Sequence, residues 1–323
     1  RGVRDYLVEL GGAGGAGGAA RAVELQKRTE ARIGTAFGSA VGRLTEPVAL
    51  QGLLLEGGGL EALPPPTARR IECVGDSETA GFGNLGPSEP CGRVGMLRSL
   101  LAMDPADEDA LQAWPAFVAE ELGAEFSTVA WSGIGVGWNA HMGCTTRHTM
   151  RELYPRALGS EGRADCNAAG EVADDEDSSS ARAALDAWSP HVVVIYIGGN
   201  DWFKFSDADD GPHRAFTAAA VELLRTVRDV RPQAAVLVLC AHAASFCACV
   251  PTAQEQARFA ADMERCWREA AAAVGGVGLE VVLPSPAIDL SDPADWGHMA
   301  HWSVQGHRKW ARAVAPLIAK HAG

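Results

Sequence analysis

Arg70-Ile71-Glu72-Cys73-Val74-Gly75-Asp76-Ser77 runs from a short, largely apolar strand into a small-residue turn that ends on a serine. Ala80-Gly81-Phe82-Gly83-Asn84 follows as a glycine-rich exit. A serine at the end of a buried strand lies at the mouth of an α/β sheet, beside free backbone N–H groups. That is a position for a nucleophile. Gly75-Asp76-Ser77 alone is a weak signal, and its weight depends on a base and oxyanion donors further along.

The chain around this stretch alternates between strands and helices. Strands are expected at Arg70–Val74, Ser127–Trp131, Val192–Ile197, Ala235–Cys240 and Leu279–Leu283. The third is an unbroken apolar run, as in a strand covered on both faces. Between them, Phe117 to Leu122 reads as one helix. Phe216, Ala220, Leu223 and Val227 share a face of a second. A third opens on Thr252 and Glu255 in capping-box spacing and buries Phe259, Met263 and Cys266. A last helix runs from Ser303 towards Leu317. Such alternation gives a parallel sheet in three α/β/α layers, with active sites at the carboxyl ends of the strands.

Residues 1–67 read differently. Arg4 to Leu10, Ala22 to Lys27 and Val48 to Leu55 look like short strands around a Gly/Ala tract, closed by the stiff linker Pro64-Pro65-Pro66. The expectation is a small, incomplete β domain over 1–67, with missing sequence upstream, and an α/β domain over 68–323.

Composition narrows the partners. The 323 residues are 47% hydrophobic and 21% charged, with a net charge of -13. That acidity argues against nucleic acid or an anionic membrane, since both require a basic face. No apolar run reaches membrane-spanning length. The acidic run Glu171 to Asp177 reads as a solvated loop. Cys73 and Cys240 fall on buried strands as packed thiols, while Cys91, Cys144, Cys166, Cys247 and Cys249 fall in loops where disulfides would suit a secreted protein. Cys240, His242, Cys247 and Cys249 match no standard zinc spacing.

The chemistry is concentrated after the strands. Trp131-Ser132-Gly133-Ile134-Gly135 follows the second, Gly198-Gly199-Asn200-Asp201 the third, and His301-Trp302-Ser303-Val304-Gln305-Gly306-His307 precedes the last helix. Each by itself is ordinary turn chemistry. Together, in this order, they resemble the four blocks of the SGNH (GDSL-type) hydrolases, with Ser77, Gly133, Asn200 and His301 at the naming positions. Glu24 to Glu30, the Arg70-Ile71-Glu72 lead-in, Gly81-Phe82-Gly83-Asn84 and Ser132-Gly133-Ile134-Gly135-Val136 further resemble the family-two carbohydrate esterases. That resemblance implies a β-sandwich (jelly-roll) domain before the SGNH-hydrolase fold. It also implies removal of acetyl groups from sugars and plant polysaccharides by a secreted or lumenal enzyme.

On this resemblance Ser77 attacks the ester carbonyl and His301 carries its proton to the leaving alcohol. The N–H groups of Ser77 and Gly133 and the Asn200 amide form the oxyanion hole. No metal or organic cofactor is required. Asp76 is assigned to the turn rather than to the chemistry. The fourth block departs from the family pattern: Trp302 replaces the usual proline, and His298 stands where the aspartate should. Asp295 is one candidate third member, a backbone carbonyl holding the imidazole in a Ser–His dyad is another, and His298 is an alternative base. Trp202, Trp302 and Trp138 each follow a block closely and offer faces for sugar stacking. The expected partner is an acetylated oligo- or polysaccharide. The alternatives are a lipid- or thioester-directed hydrolase on the same fold, and a carbohydrate-binding protein with weak or lost catalysis.

Overall fold

The computed structural model describes residues 69–88, 105–139, 148–155, 188–205, 209–240, 252–289, 291–298 and 301–323. The β domain expected over 1–67, the acidic run and five of the cysteines lie outside them. Five strands form one parallel sheet: β1 (Arg70–Gly75), β2 (Glu125–Ala130), β3 (Val192–Tyr196), β4 (Ala235–Leu239) and β5 (Leu279–Val282). Their order across the sheet is β2-β1-β3-β4-β5. All five expected strands are present, with ends that differ by one or two residues.

The helices are α1 (Ser77–Ala80), α2 (Trp114–Leu122), α3 (Met150–Leu153), α4 (Gly211–Val230), α5 (Ala253–Val274) and α6 (Val304–Ala319). The chain first runs from β1 through α2 to β2 on one side. It then returns to β3 and proceeds through α4 and α5 to β5 on the other. Right-handed crossovers in opposite directions place helices on opposite faces of the sheet. Accordingly α2 packs on α6, and α4 on α5. β3 lies between these layers with all five residues buried, which explains its uninterrupted Val192-Val193-Val194-Ile195-Tyr196.

Local chemistry sets the helix ends. Thr252 caps α5 by accepting from the Glu255 N–H at 3.2 Å, and its hydroxyl donates to the Glu255 carboxylate. Ser303 caps α6 through the Gly306 N–H. Pro115 opens α2, where its missing N–H is harmless, and Gly123 closes it in the left-handed region. The core includes Trp114, Trp267, Trp302 and Trp310, all fully buried. Cys73, Cys240 and Cys266 are buried free thiols, and burial pushes each thiol up, away from reactivity. Among the described residues no helix is long and apolar enough to cross a membrane, and no cluster of His, Cys, Asp and Glu is arranged to hold a metal.

A buried ion pair enters this core. Glu72, on β1, pairs with Arg231 at 2.7 Å and accepts from the Tyr154 hydroxyl, while Arg231 also donates to the Trp188 carbonyl. Removing one member of such a buried pair leaves the other charge uncompensated, at about 3–5 kcal/mol. Arg231→Met is expected to lower unfolding stability by about that amount, measured by urea denaturation.

Candidate active site

The strand order reverses between β1 and β3, since β2 lies outside β1. Ligands in open parallel sheets bind at the carboxyl ends of the strands beside such a reversal. Ser77 follows β1 there, Gly133 follows β2 and Asn200 follows β3.

Ser77 is the first residue of α1. Asp76 caps that turn, accepting the Glu78 N–H on its carboxylate at 3.3 Å and the Thr79 and Ala80 N–H groups on its carbonyl at 3.0 Å. This leaves the Ser77 N–H as the donor that the turn does not use. Gly75 is required by close packing: a Cβ there would lie 2.0 Å from Thr79 Oγ1 and 2.7 Å from the Tyr196 carbonyl. The strand can therefore turn tightly against β3 only without a side chain.

His301 Nε2 lies 2.8 Å from Ser77 Oγ. The histidine stands on a loop closed by an isolated antiparallel bridge between Trp296 and Trp302. Its N–H donates to the His298 carbonyl at 3.1 Å, and its carbonyl accepts from the Gly297 N–H at 2.7 Å. The glycine-rich exit docks onto the same loop: the His298 N–H donates to the Gly83 carbonyl, and the Val304 N–H to the Asn84 carbonyl. Phe82 meets the His301 ring edge-on, with centroids 4.8 Å apart. A hydroxyl held on a neutral imidazole can lose its proton as it attacks, so the pair is arranged for nucleophilic chemistry.

The second and third blocks are tied together. Asp201 is fully buried and accepts three N–H groups, from Val136 at 2.9 Å, Gly137 at 2.7 Å and Trp138 at 2.8 Å. The loop closes so tightly around it that a Cβ on Gly135 would lie 1.8 Å from the Trp138 carbonyl. Asn200 donates one amide proton to the Ile134 carbonyl at 2.8 Å and carries a second. Asp201 thus fixes the loop that carries Gly133 against the residue beside Asn200. Its place in the third block marks it in the sequence, but its partners sit 63 to 65 residues away, so its role emerges only in the fold.

Other expected positions fall elsewhere. Asp295 does not reach His301: its carboxylate accepts from the Asp289 N–H, the Gln305 amide and Lys309. Trp302 is fully buried among Tyr196, His307 and Trp310, so it belongs to the core and presents no face to a substrate. Neighbours in extended backbone point to opposite sides, and with His301 turned to Ser77 the Trp302 ring must turn inward. His298 is buried against Gly83 and Gly86. Trp138 and Trp202 remain half-buried after β2 and β3.

The electrostatics follow from burial. Burial pushes Asp76 and Asp201 up to about 7, against the N–H groups that favour their ionised forms, with their mutual repulsion adding to the rise at Asp76. Burial and the neighbouring Asp76 raise Glu78 well above the usual carboxylate range. Burial, with the nearby His301, pulls His307 down to about 3 and keeps it neutral in the core.

The family model described as the GDSL-like lipase/acylhydrolase family matches residues 73–309, and the chain belongs to that family. Within it, the chain is similar to the cellulase/esterase CelE of Acetivibrio thermocellus, 30% identical over 215 residues, 67% of this chain and 21% of CelE. It is also similar to the acetylxylan esterase/glucomannan deacetylase of Cellvibrio japonicus, 26% identical over 56% of this chain and 39% of that protein. The match therefore spans well under half the length of either relative. Among solved structures, a carbohydrate esterase family 2 enzyme with a carbohydrate-binding domain from Corynascus thermopiles (Myceliophthora fergusii) superposes with a TM-score of 0.61 at 25% identity, covering 84% of this chain and 71% of that one. A family two carbohydrate esterase from Clostridium thermocellum, solved with cellohexaose, shares the fold with a TM-score of 0.59 at 24% identity, over 82% of this chain and 68% of its own.

Two outcomes follow. Asp201→Asn places an amide group against backbone donors, and at least one buried N–H loses its acceptor, at about 1–3 kcal/mol. Ester turnover is expected to fall by about two orders of magnitude, as for loss of an oxyanion donor, with a lowered thermal midpoint in calorimetry. The second concerns pH. His307 has a folded value below its unfolded one, so its contribution is fully present above about 6.5 and is lost as pH falls towards 3. Asp76 and Asp201, with raised values, act in the opposite sense over about pH 4 to 7. His307→Leu removes the one of these contributions that falls on acidification, so it is expected to shift the change in thermal midpoint from pH 7 to pH 4 towards greater stability in acid than in the unsubstituted protein, read by melts from pH 7 to 4.

Proposed function

We propose that the chain is a serine esterase that removes O-acetyl groups from sugars or polysaccharides through an acyl-enzyme on Ser77. The observation that carries this reading is the 2.8 Å contact between Ser77 Oγ and His301 Nε2 at the strand-order reversal. The curated names of the two relatives, an esterase and an acetylxylan esterase/glucomannan deacetylase, support the ester class and the sugar.

Ser77 Oγ attacks the acetyl carbonyl carbon while His301 Nε2 takes the hydroxyl proton. The carbonyl oxygen becomes an oxyanion, which the N–H groups of Ser77 and Gly133 and the second amide proton of Asn200 stabilise. Collapse breaks the bond to the sugar oxygen, which leaves with the proton from His301. Water then attacks the acetyl-enzyme, His301 takes its proton, and acetate departs as the proton returns to Ser77. Asp295, engaged by Lys309, is not the group that orients His301. Trp138 and Trp202, half-buried beside the blocks, are the aromatic surfaces proposed to meet the sugar.

The test is hydrolysis of p-nitrophenyl acetate, acetylated xylan and a long-chain ester. The unsubstituted protein is expected to prefer the acetyl substrates. Ser77→Ala and His301→Ala are expected to lose about three orders of magnitude or more of kcat, and His298→Ala far less. Turnover that survives Ser77→Ala, or a preference for the long-chain ester, would overturn the proposal.

A further inference from the structure

Asp295 holds Lys309 instead of His301, so Asp295 does not orient the histidine. The backbone around it is pinned at three points. Its N–H donates to the His298 carbonyl, its carbonyl accepts from the Gly297 N–H, and the next N–H, that of Trp302, donates to Glu78 Oε2 at 3.2 Å. The first two contacts stay within the loop that carries the histidine. The third crosses to the nucleophile turn, and its acceptor is a side chain.

Glu78 directly follows Ser77, and Trp302 directly follows His301. The pairs Ser77–His301 and Glu78–Trp302 are therefore two parallel rungs between the same two segments, each joining residues 224 apart in sequence. Rotation of the peptide between His301 and Trp302 would move the imidazole off Ser77, and it would also break the Glu78 contact. Glu78 is only 5% exposed, in a turn whose four residues are all buried. A carboxyl that far from water is costly unless it has a partner. Its partner here is the backbone of the catalytic loop.

We infer that Glu78 is a positioning residue of the reaction, holding the His301–Trp302 peptide so that His301 Nε2 stays on Ser77 Oγ. It acts as a hydrogen-bond acceptor rather than as a charge, which agrees with the raised protonation range that burial and Asp76 impose on it. A protonated carboxyl still offers its carbonyl oxygen to the Trp302 N–H. Glutamine offers the same oxygen in nearly the same shape, whereas leucine fills the space and offers none. This inference rests on the Ser77–His301 reading above.

The experiment compares Glu78→Gln and Glu78→Leu with the unsubstituted protein and with Ser77→Ala. It measures kcat and KM on p-nitrophenyl acetate and the pH dependence of Ser77 labelling by an organophosphonate. Glu78→Gln is expected to keep kcat within about threefold, with an unchanged labelling midpoint, whereas Glu78→Leu is expected to lose about 10²-fold in kcat at a nearly constant KM, the size typical of misplaced catalytic geometry. Loss of stability alone would reduce the fraction of active protein without slowing each labelled site, so rates are referred to the titrated Ser77 concentration. Near-normal kcat in Glu78→Leu would overturn the inference. So would a displaced labelling midpoint in Glu78→Gln, since that would assign Glu78 a charge role. Activity surviving in Ser77→Ala would instead overturn the nucleophile reading itself.

Discussion

The imidazole of His301 meets Ser77 because the peptide groups on both sides of it have fixed partners. Gly297, His298 and Glu78 each take one of those backbone groups. A loop without helix or strand would otherwise leave its histidine several rotamers and a mobile backbone. Here the loop is closed by the Trp296–Trp302 bridge, docked on Gly83 and Asn84, and anchored through Trp302 among Tyr196, His307 and Trp310. The core and the Ser77–His301 contact are thus parts of one constraint: the residue that fills the core is the chain neighbour of the residue that faces the hydroxyl.

A second constraint serves the opposite wall of the site. Asp201 gathers three N–H groups of the loop after β2 and holds that loop next to the loop after β3. Both constraints use a buried acid to hold backbone N–H groups, and a third acid, Asp76, caps the turn that carries Ser77. Acids suit this task because one carboxylate accepts several donors from irregular backbone, which cannot pair with itself as strands and helices do. The site is accordingly acidic in its supports although its proposed substrate is neutral. The acidity reflects loop construction rather than ligand recognition.

Much of this was legible in the sequence. The five strands were readable because a parallel sheet covered on both faces demands near-continuous apolar runs, and Val192 to Ile197 is such a run. The four blocks were readable because each follows a strand or precedes the last helix. What sequence spacing could not convey was direction. Asp295 stands six residues before His301, but the turn at Pro293–Asp295 aims its carboxylate at the Asp289 N–H and at Lys309, which arrives from α6. Trp302 adjoins His301, and adjacency in extended backbone sends its ring the other way. Glu78 follows the serine of the turn with no sequence signal of its own. Its meaning depends on a contact across 224 positions, to a backbone atom that no residue identity encodes.

The central claim is that Ser77, activated by a backbone-clamped His301, carries the acyl group. The most direct measurement is rapid quenching of the protein during turnover of an acetyl ester, followed by peptide mass spectrometry. The account predicts one added acetyl group on the peptide containing Ser77, absent in Ser77→Ala. Turnover at the normal rate with no acetyl on that peptide at any quench time, or with the acetyl on another residue, would contradict it.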